Sequence, residues 1–197
     1  IMMHTMERYF VLEDTMEITD KIAQDVMKNV MKYAKILKKD PENYEARAEI
    51  MWCGSLSHNG LTGCGTCGGD WATHLIEHEL GGMCDVAHGA GLAAVWGSWA
   101  RYVMDEKPER FAQFAVDVMG VEESDDVKST ALKGVEAVEE FYRMIEMPTN
   151  MKELGIDPTD EQIKDMAMKA TNHDTQQLGA FKKLSAKDLV EIYKTAK

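Results

Sequence analysis

The chain has 197 residues, and its 34 acidic against 22 basic side chains leave a net charge of −12. That argues against nucleic acid as a partner, because phosphate backbones need clustered Lys and Arg and the one basic run here, Lys35 to Lys39, falls at an expected helix end. With 45 % hydrophobic and 28 % charged residues, the composition is globular and can fill a core.

From the start, Ile1 to Phe10 reads as helix, with Met2, Met3, Met6, Tyr9 and Phe10 interleaved with polar positions. No capping residue precedes it, which leads us to expect a fragment that opens inside a helix. Between Thr19 and Lys38 the apolar positions Ile22, Val26, Val30, Ala34 and Leu37 recur at three- and four-residue steps, one face of a second helix that Asp40-Pro41 ends. A third runs from Tyr44 to Ser57. The glycines at 60, 63, 65, 68 and 69 then forbid a regular element. Asp70 is expected to cap a helix beginning at Trp71, and Gly81-Gly82 to stop it. A Gly-rich helix follows from His88 to Met104, and Pro108 opens the next, Glu109 to Val118. Asp125 to Glu146, Asp160 to Ala170 and Ala186 to Ala196 complete the helical runs. Glu122, Glu123, Asp125 and Asp126 form an acidic helix start, favoured by the helix dipole. Alternating β-branched strands are missing, so the expectation is all-α: one multi-helix domain of about eight helices over residues 1–197.

The longest apolar stretch, Val86 to Ala100, is too short and too interrupted to span a bilayer, and no secretory signal is visible. Cys53, Cys64, Cys67 and Cys84 cluster locally instead of spreading as a disulfide framework, so reduced thiols in a cytoplasmic protein, without a membrane partner, are expected. Cys64-Gly-Thr-Cys67 has C-x-x-C spacing, but no second pair and no βαβ pattern accompany it. The loop reads better as the lining of a substrate entrance.

Histidine placement is the chemical signal. His74 and His78 stand at i and i+4 in WATHLIEHEL, so both imidazoles leave one helical face, a geometry that suits a metal pair as well as a hydrogen-bonded surface pair. The H-E-x-x-H order of metalloproteases is absent, since Glu79 follows the second His. His88 lies fourteen residues beyond His74, at the head of HGAGLAAVW. There Gly89 and Gly91 would let backbones approach closely, either around a buried ligand or for tight helix packing. His58 reads as a helix-end residue, His173 as a surface residue or one that sits behind a ligand, and the methionines as core filler.

Taken in order, the strings GSLSHNG, GGDWATHLIEHEL, DVAHGAGLAAVW, PERFAQFA, MPTNMKELGI and LSAKDLVEIY resemble the iron-containing alcohol dehydrogenase family, in its butanol dehydrogenase-like branch, over essentially the whole chain. The resemblance implies a dehydroquinate synthase-like helical domain, the C-terminal metal-binding half of a two-domain enzyme whose N-terminal nucleotide-binding α/β half lies outside this chain. It implies His4, His74 and His88 as metal ligands, with an Asp ligand expected just before Ile1, and His78 as a neighbour that moves a proton near the nicotinamide. That departs from the spacing argument, which pairs His74 with His78. Fe²⁺ is the implied ion, Zn²⁺ its competitor, at bond lengths of roughly 2.0 to 2.2 Å. NAD(P)H would be held mainly by the other half. The activity implied is alcohol dehydrogenase and aldehyde reductase chemistry on small primary alcohols such as butanol, with the full-length parent a homo-oligomer. The alternative is an isolated, catalytically inactive helical module that binds metal or self-associates, with an uncovered apolar patch around His74, His88 and the glycine loop.

Overall fold

A computed structural model describes residues 1–13 and 16–197. Among these residues the secondary structure is ten α-helices, two short 3-10 helices at Leu61–Gly63, within the glycine stretch expected to be irregular, and Met104–Glu106, and no strand, as the missing alternation requires. They are α1 (Met2–Tyr9), α2 (Glu17–Lys39), α3 (Tyr44–His58), α4 (Ala72–Cys84), α5 (His88–Val103), α6 (Pro108–Asp117), α7 (Val127–Met144), α8 (Met151–Leu154), α9 (Asp160–Ala170) and α10 (Ala186–Ala196). An isolated antiparallel bridge joins Leu178 to Leu184. No helix is long and apolar enough to cross a membrane.

The helices gather into two compact units: residues 1–70 with 107–145, and residues 71–106 with 146–197. In the first, α1, α2, α3, α6 and α7 enclose Met6, Tyr9, Phe10, Phe111 and Phe114, and Phe10 stacks on Phe111 with ring centroids 4.4 Å apart. Arg110 ties this core together. Its guanidinium forms two parallel bonds to the Asp20 carboxylate of α2 at 2.5 and 2.7 Å, and donates twice more to the Tyr9 carbonyl at the end of α1, at 2.9 and 2.7 Å. Helices α6 and α7 meet at Gly134, where a Cβ would lie 2.5 Å from that of Ala115, so only glycine fits. Asn43 and Asp126 cap α3 and α7, the latter from within the acidic run.

In the second unit, α4, α5, α8, α9 and α10 bury Ile76, Leu80, Trp96, Trp99, Phe181 and Tyr193. Thr159–Gln162 and Ser185–Asp188 form reciprocal capping boxes at the heads of α9 and α10. The buried Tyr193 hydroxyl donates to the Ile76 carbonyl of α4 at 2.6 Å, locking α10 against the helix that carries the histidines.

Two local expectations are corrected. Helix α4 runs through Gly81-Gly82 to Cys84 and stops where Asp85 turns left-handed, at φ 51°. Glycine costs a helix interior about 1 kcal/mol, which packing can override, and here it does. Helix α4 begins at Ala72, one residue later than expected, with Trp71 at the cap position at φ 62°, and the Asp70 amide donates to the Glu7 carbonyl at 2.8 Å. Helix α8, held between the Asn150 cap and left-handed Gly155, is one turn long and too short to show a period.

Candidate metal centre

Helix α4 sets the first two imidazoles. His74 and His78 lie one turn apart and leave the same face, as their spacing predicts. Their surroundings differ: His74 is 5 % exposed, His78 exposed. The chain then turns through residues 85–87, and α5 begins at His88, which brings a third ring to the same place. Ring centroids are separated by 5.4 Å for His74 and His88, 5.5 Å for His78 and His88, and 6.3 Å for His74 and His78. The edge of Trp71 closes one side of His74, at 5.2 Å.

Burial, reinforced by repulsion from His88 and His78, pushes the His74 imidazole down to about 4, so it is neutral at neutral pH with a lone pair to donate. Glu77 is the residue that sequence reasoning missed. Its side chain is 2 % exposed and bonds the Nδ1 of His88, itself 49 % exposed. Glu77, His78 and His88 each offer a donor atom within 4.8 Å of the others. Imidazole nitrogens together with a carboxylate oxygen are a donor set that fits a divalent transition metal.

The glycines serve Glu77 more than they serve His88. A Cβ at Gly91 would meet Glu77 Oε1 at 2.5 Å and one at Gly81 would meet it at 2.8 Å, whereas one at Gly89 would meet nothing within 4 Å. The signal was present in the sequence, since Gly81 stands one helical turn after Glu77.

His4 lies on α1 in the first unit, half-buried, its ring 4.0 Å from that of His58. His58 Nδ1 in turn contacts Ser57 Oγ at 2.7 Å and the Gly54 carbonyl at 2.8 Å. His173 is exposed at φ 57°. Cys64 and Cys67 are exposed free thiols on the glycine loop, and the Cys67 amide donates to Glu13 at 3.2 Å. Near the expected sites Leu75 and Leu61 are 38 and 36 % exposed, and apolar exposure is larger on α3, where Tyr44, Met51 and Trp52 are 84, 74 and 62 % exposed.

Comparison with known proteins decides the identity. The model of the family described as "Fe-containing alcohol dehydrogenase family, C-terminal" matches residues 1–197. This chain belongs to the iron-containing alcohol dehydrogenase family. Within it, the chain is similar to the probable NADH-dependent butanol dehydrogenase 1 of Bacillus subtilis, with 34 % identity over 100 % of the chain and 50 % of the relative. It is likewise similar to NADH-dependent butanol dehydrogenase A of Clostridium acetobutylicum, with 31 % identity over 98 % of the chain and 49 % of the relative. The crystal structure of NADH-dependent butanol dehydrogenase A from Thermotoga maritima superposes with a TM-score of 0.90 at 33 % identity, covering 99 % of this chain and 50 % of that one. The chain thus spans about half the length of the curated dehydrogenases it matches, and its helices are those of the family's C-terminal domain.

Proposed function

We propose that this chain is the metal-carrying half of an NAD(P)H-dependent alcohol dehydrogenase or aldehyde reductase acting on small primary alcohols such as butanol. The observation that carries the reading is the convergence of His74, His78 and His88 in a chain of this family. We assign His74 and His88 as ligands to Fe²⁺ or Zn²⁺, add His4 on the family resemblance, and give His78 the proton-transfer role. A bound divalent cation supplies Lewis-acid polarisation of the alcohol or aldehyde oxygen.

The protein's own share is orientation and proton management. His74, buried and neutral, is a fixed donor. Trp71, packed edge-on against His74, is an apolar wall that excludes water from that side. His78, exposed beside the other two rings, can take the proton released by an alcohol and return it in the reverse direction. Hydride transfer itself belongs to the nicotinamide, which a nucleotide-binding half outside residues 1–197 would hold.

The experiment is NAD(P)H oxidation with butanal, run on the metal-loaded chain alone and on the same residues joined to a nucleotide-binding half from a butanol dehydrogenase. Turnover in the joined protein that His78→Ala reduces about 100-fold supports the reading; a joined protein that binds metal and NADH but reduces no aldehyde overturns it. The second reading is an isolated helical module without activity that binds metal or self-associates. It predicts metal uptake with no turnover by the chain alone, and measurable oxidation of NADH by residues 1–197 unaided would dismiss it.

A further inference from the structure

Glu77 plays no part in the reading above, yet its neighbourhood is shaped around it. It is almost completely buried, and Oε2 bonds His88 Nδ1. Oε1 occupies the space that two Cβ atoms would otherwise fill, one at Gly81 on its own helix and one at Gly91 on α5, at 2.8 and 2.5 Å. An acid this deep in the interior is costly unless each oxygen has a purpose.

We propose that Glu77 is a positioning residue that keeps the His88 proton on Nδ1 and so presents the Nε2 lone pair to the cation. A neutral imidazole carries one ring proton, and whichever nitrogen keeps it, the other is the donor. An acceptor fixed at Nδ1 therefore chooses the donor atom. It also fixes the ring, which matters because His88 opens α5 and is half exposed. A carboxylate behind a ligating histidine further strengthens it as a donor. With Oε2 bonded to His88 and Oε1 turned toward Gly81 and Gly91, Glu77 is placed to support His88, although it also offers a donor atom within 4.8 Å of those of His78 and His88. The proposal rests on His88 being a ligand, and the test separates the two.

Co²⁺, whose visible spectrum reports its ligands, is titrated into the purified chain against a competing chelator. Glu77→Leu is expected to weaken binding about 10- to 100-fold, while Glu77→Gln, which keeps an acceptor oxygen and the side-chain volume, stays within roughly threefold. Added to His88→Ala, Glu77→Leu is expected to cost nothing more, because its effect passes through His88. Fully additive losses overturn the proposal, as does an unchanged affinity in Glu77→Leu alone. An unchanged affinity in His88→Ala overturns the ligand reading beneath it instead. A second readout needs no metal: long-range proton–nitrogen correlation spectra, which distinguish the two neutral tautomers and the doubly protonated ring, are expected to show the neutral His88 ring protonated at Nδ1, a preference that Glu77→Leu loses. A wild-type His88 protonated at Nε2 overturns the proposal whatever the affinities.

Discussion

Each unit of the molecule buries a carboxylate against a basic side chain, and the two pairs are built to opposite ends. In the first, Asp20 and Arg110 have side chains only 10 and 5 % exposed. Arg110 adds cation–π contact with the Tyr9 ring, at 3.7 Å from its centroid, and a bond to Gln113 at 2.9 Å, so both charges are fully engaged. In the second, Glu77 is as deeply buried, but its partner His88 is half open to solvent and keeps a second ring nitrogen. A sealed pair has nothing left to offer a ligand and can only hold helices together. A half-open pair, on our proposal, has a donor atom left to present to a ligand.

The contrast breaks most directly at Arg110. Arg110→Leu strands a buried carboxylate and is expected to destabilise the chain by about 3 to 5 kcal/mol, read as a lower midpoint in urea unfolding. A loss below about 1 kcal/mol would mean the sealed pair is not structural. Next comes His74→Ala, which removes a donor outright and is expected to reduce Co²⁺ affinity by at least about 100-fold, beyond what loss of a supporting residue causes. Its effect is on affinity, the reverse of the pattern at Arg110. Gly91→Ala should act between these extremes, since its methyl displaces Glu77 and the strain is worth about 1 to 3 kcal/mol. Gly89→Ala, with open space around it, is expected to be neutral or mildly stabilising. Equal effects at both glycines would refute the claim that the space at Gly91 is kept for Glu77.

The smallest effect concerns acid. Asp188 is partly buried, which by itself would raise its pKa, but hydrogen bonds from Ser185 at 2.6 Å and Tyr102 at 2.5 Å outweigh that and hold it below the ordinary carboxylate value. A depressed folded value stabilises the protein above the unfolded value of about 3.9, and that contribution is lost as pH falls below it toward the folded value. Asp188→Asn should therefore lower stability at neutral pH and flatten the acid side of the stability profile. An acid limb identical to wild type would remove Asp188 from the account.

How much of this was legible in the sequence follows the range of the interaction concerned. Helices α9 and α10 were read at their observed bounds because period and termini are local properties. The convergence of His74 with His88 followed from matched strings, and the structure brings their rings together. His78 is as near, so the spacing argument and the family resemblance each described part of one cluster. Gly81-Gly82 misled because glycine reads locally as a stop, while its use here is set by a carboxylate one turn earlier. Glu77 itself looked like one more helix-face acid: burial is decided by what α5 brings over it, and no single-helix pattern reports that. The turn at Trp71 was hidden for the same reason, since a left-handed tryptophan is tolerated only when its surroundings hold it.

The bond from Tyr193 to the Ile76 carbonyl has a practical corollary. Ile76 immediately precedes Glu77, so α10 works as a wedge behind the wall that holds the carboxylate in place. Deletions that trim α10 for crystallisation or fusion design would loosen that wall before they unfolded the remaining helices, and would show first as slack around the candidate metal centre. Linkers are therefore better attached beyond α10 than in its place.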